Sequence, residues 1–209
     1  MLNLPTQCKH ILGPSLVLVL AFVLYLFEPL SSQYLAFERE KIQSLELWRL
    51  LSGNFLHTNF SHLILNALGL SLLWALHGQY FSTKTYLIIF HLISLACTLG
   101  IYSFAERLSW YVGLSGTLHG MFVLGAYFDI RAGMKSGWLL LLGVWAKIAH
   151  EQYFGASKEV AELIGASVAT EAHLYGAISG MLLVFYFLML NSHSHSKIQK
   201  LKIKLKNQE

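Results

Sequence analysis

The sequence predicts an all-α, polytopic membrane protein of six crossing helices, on three observations. Hydrophobic residues make up 55% of the 209 residues and charged residues only 12%, about half the share of an ordinary soluble domain. Mean hydropathy is +0.53. Six separate stretches approach 20 apolar residues, the length that crosses a hydrocarbon core of ~30 Å as a helix. Little mass is left outside the bilayer.

The first run, 11–30, follows Lys9 and His10. It is long, and Glu28-Pro29-Leu30-Ser31-Ser32-Gln33 offers no small-x-small cleavage pattern, so it reads as a retained span and not a signal peptide. Residues 31–58 form the one long connection, with Glu38, Arg39, Glu40, Lys41 and Glu46 followed by an amphipathic Leu47-Trp48-Arg49-Leu50-Leu51 expected to lie along the interface. The second run covers 59–78 and the third 85–104. The fourth, 115–131, is short and glycine-rich, and the fifth, 136–154, carries Lys147, His150 and Glu151 near its end. The sixth covers 171–190. The expected organisation is an amino terminus over 1–10, a membrane domain over 11–190 and a basic tail over 191–209.

Basic residues near helix ends favour the cytoplasmic side. With the amino terminus inside, Lys9, Lys84, Arg131, Lys135 and the five lysines of 197–206 are cytoplasmic, while Arg39, Lys41, Arg49, Arg107, Lys147 and Lys158 are outside. Only Asp129 and Glu209 accompany the inner set. Both termini are therefore expected in the cytoplasm, with the chain in a bacterial inner membrane. The tail suits anionic lipid headgroups and not nucleic acid. Cys8 and Cys97 fall at different depths and have no metal-site spacing, so neither a disulfide nor a metal is expected from them.

In this topology the second, fourth and sixth spans begin in the outer leaflet, and each begins with polar residues. The second has His62 and Asn66 at i, i+4 on one face; the fourth has Ser115 and His119 at the same spacing; the sixth has Glu171 and His173. Ionisable groups at membrane depth are costly and mark a site when they converge, although a single intramembrane histidine often serves only as glue between helices. Gly116 and Gly120 make a small-xxx-small face on the fourth span, and Gly176 and Gly180 make another on the sixth. Such faces bring backbones close, as a serine and a histidine on separate helices require to share a hydrogen bond. Ser115, flanked by Gly113-Leu114 and Gly116, would sit at a helix amino terminus whose free N–H groups favour an oxyanion. His62 and Asn66 add side-chain donors.

Taken together, Trp48-Arg49, His57, His62 and Asn66, Gly113-Leu114-Ser115-Gly116, and Ala172-His173 with Gly176 and Gly180 resemble the rhomboid family of intramembrane serine proteases over roughly residues 45–185. The resemblance implies a six-helix rhomboid-like bundle in which Ser115 is the nucleophile and His173 the general base, with no third acid. His62, Asn66 and the Ser115 N–H would form the oxyanion hole. Glu171 does not substitute for the acid, because residues two apart on a helix do not face each other. Gly-Leu-Ser-Gly-Thr-Leu-His-Gly at 113–120 and Glu-Ala-His-Leu-Tyr-Gly at 171–176 are most similar to the rhombosortase subfamily. That likeness implies substrates ending in Gly-Gly, a hydrophobic span and a basic cluster. Thr170-Glu171 stands where ordinary rhomboids carry a glycine. The alternative is a catalytically inactive relative that binds transmembrane segments. No HExxH motif is present, His193 and His195 belong to the hydrophilic tail, and no cofactor is expected. Lys147 and Glu151, four apart with His150 alongside, read either as an incidental ion pair or as the border of the route by which substrate reaches the site.

Overall fold

The computed structural model describes residues 4–206, with side chains through Leu190. The apolar runs fold as α1 (Cys8–Leu26), α5 (Phe60–His77), α6 (Thr83–Phe104), α7 (Ser115–Arg131), α8 (Ser136–Phe154) and α10 (Thr170–Lys206). Local chemistry sets their ends. Asn59 caps α5 by accepting from the His62 N–H at 2.8 Å, and Ser82 caps α6 by accepting from the Thr85 N–H at 3.3 Å. Gly133 turns the chain between α7 and α8 at φ +80°.

Four of these helices are long and apolar enough to cross a membrane: α1, α5 continued to Tyr80, α6, and α10 over Thr170–Leu190. The other two are the short fourth run, 17 residues as α7, and the fifth, which carries Lys147 and Glu151 as α8. The tail beyond Leu190 continues the α10 backbone; its expected lipid contacts lie outside the described side chains.

α7 is the central post. It packs against α10, α8, α5 and α6, and 11 of its 17 residues are buried. The main apolar core surrounds it, with Leu63 and Leu70 from α5, Phe90 and Ile93 from α6, Leu118, Val123 and Leu124 from α7, and Val144 and Ile148 from α8. α7 and α10 meet backbone to backbone through the four expected glycines. A Cβ on Gly120 or Gly180 would run into the carbonyl of the facing glycine, Gly176 or Gly120 respectively, and one on Gly176 into the Gly116 carbonyl. Only glycine permits that approach.

At the other end of the bundle His77 and Tyr80 both hydrogen-bond the buried Asp129 carboxylate, at 3.1 and 2.6 Å, which ties the end of α5 to α7. The connection 31–58 contains α2 (Leu30–Leu35), β1 (Phe37–Glu38), α3 (Arg39–Gln43) and α4 (Arg49–Ser52). β1 pairs antiparallel with β2 (Trp110–Tyr111), Phe37 opposite Tyr111. Leu47 and Trp48 are exposed, as an interfacial stretch requires, but Arg49 is only 2% exposed. Its guanidinium donates to the Ala36 and Gln33 carbonyls at 2.8 and 2.9 Å and to Glu46 at 2.7 Å. Arg49 is therefore an internal clamp of this connection. Arg39 likewise satisfies the last carbonyls of α6, Ile101 and Tyr102, at 3.0 and 2.7 Å.

Candidate active site

Ser115 is the first residue of α7, and His173 lies in the first turn of α10. The glycine crossing sets these two helix starts beside each other, and His173 Nε2 stands 3.0 Å from Ser115 Oγ. On its other side, His173 Nδ1 donates to Glu151 Oε2 at 2.8 Å. A carboxylate only accepts, so the proton of neutral His173 resides on Nδ1 and Nε2 is the bare nitrogen facing the hydroxyl. This is the tautomer that a general base needs.

His119 stacks on His173, ring centroids 4.2 Å apart and planes 21° from parallel. Its Nδ1 donates to the Ser115 carbonyl at 2.7 Å, one turn back along its own helix, so its ring is held alongside the pair and does not reach the Ser115 hydroxyl through that nitrogen.

Gly113 adopts φ +126°, a conformation that L side chains rarely accept, and a Cβ there would lie 2.9 Å from His62 Nε2. The His62 ring thus packs against the bare backbone just ahead of Ser115. The Thr58 N–H and hydroxyl oxygen lie 3.4 and 3.1 Å from His62 Nδ1 and hold the ring in place. Asn66 lies one turn along α5, and its Nδ2 donates to the His62 carbonyl at 3.1 Å. Tyr111 donates to the Gly113 carbonyl at 2.6 Å and fixes that turn; burial pushes its phenol well above the ordinary range.

A cavity of about 610 Å³ opens on this cluster. Ser115, His119, His173, His62, Asn66, Lys147 and Glu151 supply its polar wall; Leu65, Leu72, Leu73, Leu118, Phe122 and Val144 supply an apolar one between α5, α7 and α8. α9 (Lys158–Ile164) covers it, held by the Thr58 hydroxyl donating to the Ile164 carbonyl at 2.6 Å and by Asn59 Nδ2 donating to that of Leu163 at 3.1 Å.

The Rhomboid domain family matches residues 44–190. The chain belongs to the rhomboid family. No curated protein matches it. Rhomboids are integral membrane proteins, in general serine intramembrane proteases acting on transmembrane substrates, with inactive members among them.

Ser115, His173, His62, Asn66 and His119 all line this cavity, while Trp48 and Arg49 lie outside its wall, and two expectations need correction. The resemblance implied no third acid, yet Glu151 meets His173. Glu171, which opens the sixth span beside His173, is not in the cavity wall; the carboxylate comes instead from α8, a different helix, where single-helix spacing has no say. His150 is also misplaced in the expected polar patch: it is exposed and rests on Phe154, ring centroids 4.9 Å apart. Lys147 does pair with Glu151, Nζ to Oε1 at 2.6 Å, but that carboxylate is not incidental. The only sequence signal for it was a charged pair at costly depth.

His57 is buried with its ring edge-on to His62 at 5.0 Å, and neither ring nitrogen has a hydrogen-bond partner. Burial, and then the nearby His62, hold its pKa down to about 3. Among the described residues, His119, Glu151 and His173 form a cluster of metal-capable side chains with ligand atoms within 4.8 Å of one another. Both nitrogens of His173 are already engaged and the two rings lie nearly parallel, so their lone pairs do not converge on one point.

Proposed function

We propose that this rhomboid is an active intramembrane serine endopeptidase, crossing the membrane six times with both termini in the cytoplasm of a bacterial cell. It cleaves single-span proteins near the outer face. The observation that carries this reading is the 3.0 Å contact between Ser115 Oγ and His173 Nε2 at the head of the cavity. Ser115 Oγ attacks the scissile carbonyl as its proton passes to His173 Nε2. The negative charge that develops on the carbonyl oxygen is met by the free N–H groups at the start of α7 and by His62 and Asn66. Collapse of the tetrahedral intermediate breaks the C–N bond, and His173 returns the proton to the leaving amine. Water then attacks the acyl-serine with His173 again as base. The apolar wall between α5 and α8 suits the hydrophobic segment of a substrate, and no cofactor takes part.

The rhombosortase-like strings at 113–120 and 171–176 further support substrates that end in Gly-Gly, a hydrophobic span and a basic cluster. The intact Ser115/His173 pair weighs against the inactive, segment-binding alternative. The test is cleavage of such a tail, fused to a soluble reporter, by the full chain in liposomes. Cleavage is expected at the amino-side margin of the span, and Ser115→Ala and His173→Ala should each abolish it. Cleavage that persists in Ser115→Ala overturns the mechanism; equal cleavage of a tail without Gly-Gly or the basic cluster overturns the specificity.

A further inference from the structure

We infer that Glu151 is the positioning residue of a Ser115–His173–Glu151 triad; the inference rests on the serine-protease reading above. Glu151 is bound on both oxygens. Oε2 accepts from His173 Nδ1 at 2.8 Å, and Oε1 meets Lys147 Nζ at 2.6 Å. Its side chain is 12% exposed and that of His173 is 7% exposed, whereas Lys147 is 48% exposed.

The three contacts form one chain of charge and proton direction. A carboxylate at membrane depth persists only with partners, and Lys147, four residues back on the same face of α8, supplies one from the cavity side. The other oxygen fixes the His173 tautomer and the plane of its ring. A proton on Nδ1 is what leaves Nε2 able to accept from Ser115. When Nε2 takes that proton, the resulting imidazolium faces a carboxylate at hydrogen-bond distance, so the charge created in the step is opposed where it forms. Glu151 remains ionised throughout; the only proton in motion travels from Ser115 Oγ to Nε2 and on to the leaving nitrogen. His119 completes the restraint by stacking on the face of the His173 ring, so rotation of His173 is limited by a flat neighbour and by a hydrogen bond at its far nitrogen.

The contacts also separate the parts played by Lys147 and Glu151. Lys147 does not touch His173, and its effect passes through the carboxylate. Replacing Lys147 by methionine leaves the Glu151–His173 bond its two partners, whereas Glu151→Gln offers an amide whose NH₂ can donate to Nδ1 and stabilise the opposite tautomer, with Nε2 protonated and facing the nucleophile.

The experiment uses the full chain in detergent and in liposomes, with a fluorophosphonate probe and a tail substrate. Wild type must first label at Ser115; absence of labelling defeats the protease reading itself and is distinguishable from failure of the triad, which leaves wild-type labelling intact. In Glu151→Gln, kcat is expected to fall about 100-fold, in the range of a general base deprived of its orientation, with KM within about twofold. Probe labelling should slow in parallel. Glu151→Asp keeps the carboxylate on a shorter arm and should recover at least about tenfold of the loss. The His173 Nδ1 proton should give a far-downfield resonance in wild type that vanishes in Glu151→Gln. Thermal melts of both variants establish that the fold is retained. Wild-type kcat in Glu151→Gln overturns the inference, as does an equal loss in Glu151→Asp and Glu151→Gln accompanied by equal loss of thermal stability, which marks Glu151 as merely structural. Loss of wild-type activity in a chelator overturns it in favour of a metal held by His119, Glu151 and His173.

Discussion

An alanine at Gly176 would place its Cβ 2.5 Å from the Gly116 carbonyl carbon and closer still to its oxygen. Carbon atoms in contact settle at about 3.5–4.0 Å, so α10 must move off α7 by about 1 Å. Overpacking of that kind costs about 1–3 kcal/mol, which the rest of the bundle can absorb. The catalytic geometry is less tolerant. Gly116 directly follows Ser115, and Gly176 lies one turn after His173, so the displacement falls on the 3.0 Å hydrogen bond between them and opens it to about 4 Å, beyond hydrogen-bond range. A misplacement of about 1 Å lowers rates by about 100-fold. The assay is the second-order rate of fluorophosphonate labelling in detergent, read beside a thermal melt, with Leu182→Ala on the exposed side of the same helix as the control. Gly176→Ala is expected to remain folded and to label about 100-fold more slowly, while Leu182→Ala stays within about twofold. Gly176→Ala that melts normally and labels at the wild-type rate refutes the claim that this crossing sets the site.

His119→Gln should lower kcat/KM by less than about tenfold against about 1,000-fold or more for His173→Gln, because His119 Nδ1 is already committed to the Ser115 carbonyl; equal losses would exchange their roles. Arg49→Met strands the Ala36 and Gln33 carbonyls and should lower stability by at least about 2 kcal/mol, visible as a lower melting temperature and as proteolysis within 31–58; a wild-type melt contradicts the clamp. His57 titrates near 3 in the folded chain and near 6.5 when exposed, so the unfolded state binds its proton first as pH falls. Its contribution is therefore complete above pH 6.5 and is lost towards pH 3, at up to about 1.4 kcal/mol per pH unit. His57→Phe should flatten the acid side of the stability profile by about one proton, and an unchanged slope would show that His57 is already charged in the fold.

The membrane architecture was legible because its signals are local. The apolar runs fix α6, α7 and α8 to within two residues of their observed ends, since Ser82, Ser115, Gly133 and Gly155 stand at the boundaries. α1 begins earlier and ends four residues sooner than its apolar run, at Leu26, because the Glu28-Pro29 step cannot continue a helix. The small elements of 31–58 left no such trace. Their geometry depends on Arg49 reaching carbonyls 13 and 16 residues away, a choice made by burial and not by propensity. Within the site, Ser115, His173 and the four glycines were readable because each helix carries its own spacing pattern. Glu151 was not, since its partner lies on another helix and depends on how α8 rotates against α10. Its spacing from Lys147 predicted that pairing correctly, and so made the two look self-sufficient.

The central claim is that Ser115 is a nucleophile activated by His173 inside the membrane domain. Mass mapping of a fluorophosphonate adduct on the full chain in liposomes tests it most directly. The expected result is a single adduct on Ser115 in wild type, absent from Ser115→Ala and strongly reduced in His173→Ala. An adduct on any other residue, or labelling of Ser115 that is indifferent to His173→Ala, would contradict it.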